Sequence, residues 1–268
     1  MLAGRIEPSV YYFTNPKLWI TKGWAVAKPV LIIGYPGIGR IGEVTVRFLA
    51  RSFRAKRIGT ITSPYFSTQA VVDKRGRARL LGVQIFLKNR KEGDVMIALG
   101  EQHQELMGGE LEASRILLKF FKKIGGDLVI AVGGHVEQPK AENRVYALVT
   151  DPSMLEYAKN LELELAPTGT PIVGSVGITL GLCRLLGIRG MGLLGLTNVG
   201  GPDLESSRQV LEKMDKLLNA NLDFSLFESE TQKWKELQEK YRRELKRLEN
   251  DRALSSLFRG PGSPEYLG

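Results

Sequence analysis

Short, continuously apolar runs alternate with helical periodicity through most of this chain, and that alternation narrows the fold more than any single motif. "KPVLIIG" (28–34), "RIGTITS" (57–63), "DVMIALG" (94–100), "DLVIAVGG" (127–134), "TPIVG" (170–174) and "RGMGLLGLT" (189–197) each read as a strand buried on both faces. Helical patterns fall between them, at about 41–53, 109–124, 152–160, 176–187 and 203–219. Strands covered on both faces need helices above and below them. The pattern therefore predicts an α/β fold of three layers, with a mixed, mostly parallel sheet flanked by helices. One stretch breaks it: in "VVDKRGRARLLGVQIFL" (71–87) two β-rich runs flank a charged, Gly-containing turn, the signature of an antiparallel hairpin.

The helix ends carry matching punctuation. Gly125-Gly126 follows "LLKFFKKI", where a left-handed residue stops a helix. In "TDPSMLEYAKN" Asp151 can accept from free helix amides, and Pro152 suits a first helical position that needs no donor.

The C-terminal part has a different character, which divides the chain into a core domain over 1–222, a long helix over 223–258 and a flexible tail over 259–268. "SETQKWKELQEKYRRELKRLENDRALSSL" (229–257) is rich in helix formers and contains neither Gly nor Pro. Trp234, Leu237, Tyr241, Leu245 and Leu248 recur at spacings of three and four, giving one narrow apolar stripe. Glu236–Lys240 and Glu239–Arg243 add favourable pairs on the charged faces. Such a helix is longer than a compact core of this size requires, so it packs back, projects, or pairs with another helix. "FRGPGSPEYLG" ends the chain with turn residues.

Composition removes several function classes. Hydrophobic content of 43% and charged content of 25% are those of a soluble globule. No run approaches a membrane span, and the N-terminus lacks both a basic leader and an apolar signal core, so cytoplasmic residence is expected. One cysteine, Cys183, rules out an internal disulfide framework and, within a helical apolar pattern, reads as core. The net charge of +9 raises nucleic-acid binding. However, the basic residues are dispersed: "RSFRAKR" (51–57) and "DKRGRAR" (73–79) are isolated runs, and the C-terminal charges are mixed in sign. No nucleic-acid partner is expected; an acidic protein partner suits the charge.

The glycine-rich "LIIGYPGIGRIGEVTVRFL" (31–49) poses the sharpest chemical question. Gly37, Gly39 and Gly42 match the spacing of a dinucleotide fingerprint, but the acidic ribose anchor is missing, since no Asp or Glu lies between Glu43 and Asp73. Gly34 to Arg40 approximates a P-loop, yet Arg40-Ile41 stands where Lys-Ser/Thr is needed, and Pro36 removes an amide donor. Glycines that let backbone pass closely between strand and helix explain the stretch without a phosphate.

Elsewhere the chemistry is sparse. His103 and His135 both fall at the ends of expected parallel strands, with Glu101, Glu105, Glu110 and Glu137 nearby in sequence, and "GTPIVGSVGITLG" (169–181) offers Ser175 at a helix start. These form no catalytic motif and no metal-ligand spacing. No catalytic residue, cofactor or metal is expected.

Four stretches taken together resemble the proteasome assembly chaperone family of the second-subunit type, and are most similar to its archaeal homologues. They are residues 31–49, "DVMIALGEQ" (94–102), "GTPIVGSVGITLGLCRLLGI" (169–188) and "LLGLTNVGGPDLESSRQVLEKMDKLLN" (193–219). The resemblance implies a non-enzymatic α/β domain related in fold to nucleoside phosphorylases and hydrolases. It also implies a homo-oligomer that binds proteasome α-subunits without ATP and helps them form a ring. Such chaperones often end in hydrophobic–Tyr–any residue, so Tyr266, Leu267 and Gly268 are implied partner contacts. Tyr266 is third from the end and follows Glu265, which requires a shifted register. Trp234, Leu237, Tyr241, Leu245 and Leu248 join them as partner-binding candidates. The competing readings are an adaptor of the same fold for a non-proteasomal protein, and a nucleotide- or nucleoside-processing enzyme using the glycine loop with His103 or His135.

Overall fold

The computed structural model describes residues 16–66, 70–72, 75–101, 109–137, 145–198, 201–229, 231–233 and 236. The chain divides into two compact units, Met1–Leu222 and Asp223–Gly268. In the second, residues 224–229 and 231–233 are helical, and Asp223 Oδ1 accepts from Ser225 N–H at 2.9 Å.

The first unit is built on a nine-stranded sheet. In chain order its strands are β1 (Lys17–Ile20), β2 (Val30–Gly34), β3 (Lys56–Thr62), β6 (Val83–Lys88), β7 (Val95–Gly100), β8 (Leu128–Val136), β9 (Val145–Val149), β10 (Glu164–Leu165) and β11 (Arg189–Thr197). The short strands β4 (Ala70–Val72) and β5 (Ala78–Leu80) form a separate hairpin. The sheet order is β1-β3-β6-β7-β2-β8-β11-β9-β10. Its centre, β7-β2-β8-β11, is parallel, with Ile32 opposite both Ile97 and Ile130. Antiparallel pairs carry β6, β3 and β1 on one side and join β9 to β11 on the other. The mixed sheet expected from the sequence is thus parallel at four of the apolar runs, while the run at 57–63 forms the antiparallel β3.

Strand alternation assigns the layers. Leu31 and Ile33 of β2 join the core under α2 (Gly109–Lys123) and α4 (Ser175–Leu186), together with Met96, Ala98, Val129, Phe121 and Cys183. Gly34, on the opposite face, lies against α1 (Ile41–Ser52). α5 (Leu204–Leu218) packs beside α1, and α3 (Met154–Asn160) lies by β9–β11. Burial pushes the Cys183 thiol up to about 12, consistent with its core reading.

Local chemistry fixes the ends of these helices. Asp203 Oδ1 accepts from Ser206 N–H at 2.9 Å and caps α5, while Ser206 Oγ donates to Leu196 O, tying the helix to β11. Gly187 at φ +63° ends α4. Asp151 accepts from Ser153 N–H at 2.8 Å, forming a turn that precedes α3.

Two expectations need correction. Residues 170–174 are not a strand: Pro171 lacks an N–H, and the edge position beside β9 is taken by the two-residue β10. β1 and β9, which the apolar runs did not mark, are strands held at or near the sheet margins.

Candidate functional site

The chain leaves β2 through Gly34-Tyr35-Pro36-Gly37, makes one 3-10 turn over Ile38–Arg40, and enters α1 at Ile41. Gly34 and Gly42 let strand and helix touch. A Cβ on Gly34 would collide with the Gly42 carbonyl, and one on Gly42 would stand 2.5 Å from Val132 O. Gly39 and Arg40 are both left-handed, at φ +61° and +48°. Arg40 holds that conformation through its N–H to Gly37 O at 2.8 Å and its Nε to Glu43 Oε2 at 2.8 Å. Gly39 O accepts from Asp203 N–H at 2.8 Å, so the loop is also fastened to the start of α5.

The cations beside the turn share one partner from within the chain. Glu43, in the first turn of α1, is buried and also accepts from Arg47 at 2.8 Å. A carboxylate at a helix N-terminus satisfies the dipole that a phosphate would exploit. Arg40, which stands where a P-loop lysine would, is paired with that carboxylate. The steric reading of the glycines is the one that this geometry supports.

Beyond the turn, at the ends of β2 and β8, lies a cleft of about 130 Å³ whose lining includes Tyr35, Gly37, Ile38, Glu110, Val173 and Ser175. A second cavity of about 150 Å³ adjoins it, shares Ile38, Gly134 and Val173, and is lined also by His135 and Val136. Desolvation raises the pKa of the buried Tyr35 phenol, with the Ser114 hydroxyl beside it, and its ring packs where a side chain at Gly100 would stand.

The described members of the loose His/Glu constellation take separate places. Glu101 accepts from Arg79 at 2.6 and 2.5 Å, from Gln84 at 2.9 Å and from Gly82 N–H at 3.2 Å, a structural role. Glu137 accepts from Tyr146 OH at 2.7 Å. Glu110 and Ser175 line the first cleft and His135 the second, while His103 and Glu105 lie outside the described residues. Among the described residues no group of three His, Cys, Asp or Glu is arranged to hold a metal ion, and no helix is long and apolar enough to cross a membrane.

The partner-binding candidates Trp234, Leu237, Tyr241, Leu245, Leu248, Tyr266, Leu267 and Gly268 also lie outside the described residues. What sequence reasoning did not find is a set of exposed apolar residues at the cleft end of the sheet: Ile38, Val136 and Val173, which line the clefts, and Leu111 next to the lining Glu110, with Val173 81% exposed. Its members come from four separate segments, the turn before α1, the first turn of α2, the end of β8 and the loop before α4, which only the topology brings to one end of the sheet.

A family model described as the PAC2 family matches residues 31–241. The chain belongs to the PAC2 family. The match spans the glycine turn, both clefts and α5. Among solved structures, this PAC2 chain is similar to PbaB of Pyrococcus furiosus, an archaeal proteasome activator. The TM-score is 0.76 at 25% identity, covering 85% of this chain and 99% of that one. It is also similar in fold to PbaA of the same organism, an archaeal homolog of proteasome-assembly chaperone, with TM-score 0.73, 19% identity and coverage of 91% and 100%. A curated relative, an uncharacterized protein of Methanocaldococcus jannaschii, is 24% identical over 242 residues, covering 89% of this PAC2 chain and 92% of its own length.

Proposed function

We propose that this PAC2 protein is an ATP-independent proteasome-assembly chaperone homologue. It is an oligomeric scaffold in the cytoplasm that binds proteasome α-subunits, or a related protein, through its core and its C-terminal extension. It performs no catalysis. The observation that carries this reading is the Arg40–Glu43–Arg47 cluster: the arginine that stands where a phosphate-binding lysine would is paired with the chain's own carboxylate. The family match and the likeness to a proteasome activator support the same reading. Several chains presenting one extension each would bind by avidity.

The test is retention of purified α-subunits by the full-length chain and by a chain lacking residues 223–268. Retention that weakens on deletion supports both contacts. Equal retention removes the extension from the mechanism, and none at all by the full chain overturns the proteasome reading.

A further inference from the structure

The register of the β4–β5 hairpin sorts its side chains onto two faces. Ala70 stands opposite Leu80 and Val72 opposite Ala78, while Val71 stands opposite Arg79. Successive strand residues point to opposite sides. Ala70, Val72, Ala78 and Leu80 therefore share one face, and Val71 and Arg79 the other. Arg79 ties its own face to the domain through Glu101, at the end of β7. The other face is wholly aliphatic and wholly exposed, with Val72 at 66% and Leu80 at 60%. A two-stranded hairpin is marginal in water on its own, and an uncovered aliphatic face adds to that cost.

The tip of the hairpin is basic. Between its strands lie Asp73, Lys74, Arg75, Gly76 and Arg77, three cations against one acid, and Arg75 and Arg77 are exposed. Location adds a further observation. β6 runs antiparallel to β7 with Val83 opposite Gly100, so the hairpin rises from the end of the sheet where the parallel strands finish. That is the end carrying Ile38, Leu111, Val136 and Val173.

We propose that the β4–β5 hairpin is a docking arm of the core domain, and that the protein surface it meets combines an aliphatic patch with a border of carboxylates. Charge selects this occupant over a second copy, because another chain brings the same cationic turn and a net charge of +9. Side-chain type selects protein over nucleic acid: the exposed face is Ala, Val, Ala and Leu, with no aromatic platform for bases. The inference rests on the proposed function, in which the partner is a proteasome α-subunit, and gives the core a contact separate from the C-terminal extension.

The experiment compares the full-length chain with V72D/L80D and R75E/R77E for binding to immobilised, purified α-subunits across a salt series. Both variants are expected to lose about tenfold or more in affinity, with wild-type binding weakened by salt and R75E/R77E less salt-sensitive. All four replaced residues are exposed, so thermal melts should coincide; R75E/R77E also leaves the aliphatic face intact and reports on docking should V72D/L80D disturb the hairpin. If the wild type binds and both variants bind equally well, the arm is overturned and the chaperone reading stands. If V72D/L80D dissociates an oligomer in light scattering, the face is a contact between copies and the proposal falls. It falls too if R75E/R77E keeps α-subunit binding but loses affinity for a short DNA duplex. A wild-type chain that binds no α-subunit removes the functional reading and this inference together.

Discussion

Glu43 lies between Arg40 and Arg47, accepting from each at 2.8 Å, and thereby pairs the one cationic side chain of the turn after β2. The carboxylate is buried while both guanidinium groups are partly exposed, 47% and 42% by side chain. Replacing it leaves two cations and a left-handed Arg40 without their shared partner. Glu43→Ala should cost about 1–3 kcal/mol, and Glu43→Gln less, measured by urea unfolding. No loss on Glu43→Ala would mean that the cluster does not hold the turn.

Close backbone approach makes Gly42 intolerant of any side chain. A Cβ there would meet Val132 O at 2.5 Å and Tyr35 O at 3.0 Å, both main-chain atoms that cannot swing away. Gly42→Ala should destabilise by about 1–3 kcal/mol. Gly181, exposed within α4, offers the contrast, since a Cβ there meets nothing within 4 Å. Gly181→Ala should stabilise by roughly 0.5–1 kcal/mol. Opposite signs in matched denaturant melts are the expected result.

Cys183 gives a pH dependence with a definite sign. Burial raises its thiol from 9.0 to about 12 in the folded chain. Above pH 9 the unfolded chain releases this proton and the folded chain keeps it, so stability, full below pH 9, falls as pH rises towards 12. The slope from this group is about 1.4 kcal/mol per pH unit. The raised Tyr35 phenol acts in the same direction at higher pH. At pH 8 the native thiol should resist a disulfide reagent that labels it at once in denaturant; rapid native labelling would contradict its burial.

The Arg79–Glu101 pair anchors the hairpin to β7. Arg79→Ala should free the arm locally, so that trypsin cleaves at Arg75 or Arg77 several-fold faster, while the melting temperature barely moves. A large fall in melting temperature would instead make the hairpin part of the cooperative core.

What the sequence revealed, and what it hid, follows from the range of each interaction. Gly125 and the five helices could be read because caps and 3.6-residue periods are local signals. The centre of the sheet was readable because "VLIIG", "VMIALG" and "LVIAV" are apolar on both faces, as parallel strands between helices must be. Residues 170–174 misled because an apolar run beside Pro171 resembles a strand, yet pairing needs a neighbour that β10 had already displaced. The sequence set Glu101 and Glu137 only in a loose constellation without a motif, and nothing local says that Arg79 or Tyr146 will reach them. The aliphatic face of the hairpin depends on register, which "VVDKRGRARLL" does not specify. The pairing of Glu43 with Arg40 and Arg47 needed the fold of the glycine turn itself, since Arg40 comes within reach through its left-handed backbone.

The interlock of Gly34 with Gly42 also governs how this scaffold can change. With β2 and α1 in van der Waals contact, a residue that introduced new chemistry at their junction would first wedge the layers apart. The segments bearing Ile38, Leu111 and Val173, and the hairpin beside them, can be rewritten without moving a strand of the main sheet. Diversification among such proteins should therefore proceed by exchanging partners at that end of the sheet, with its interior left as it is.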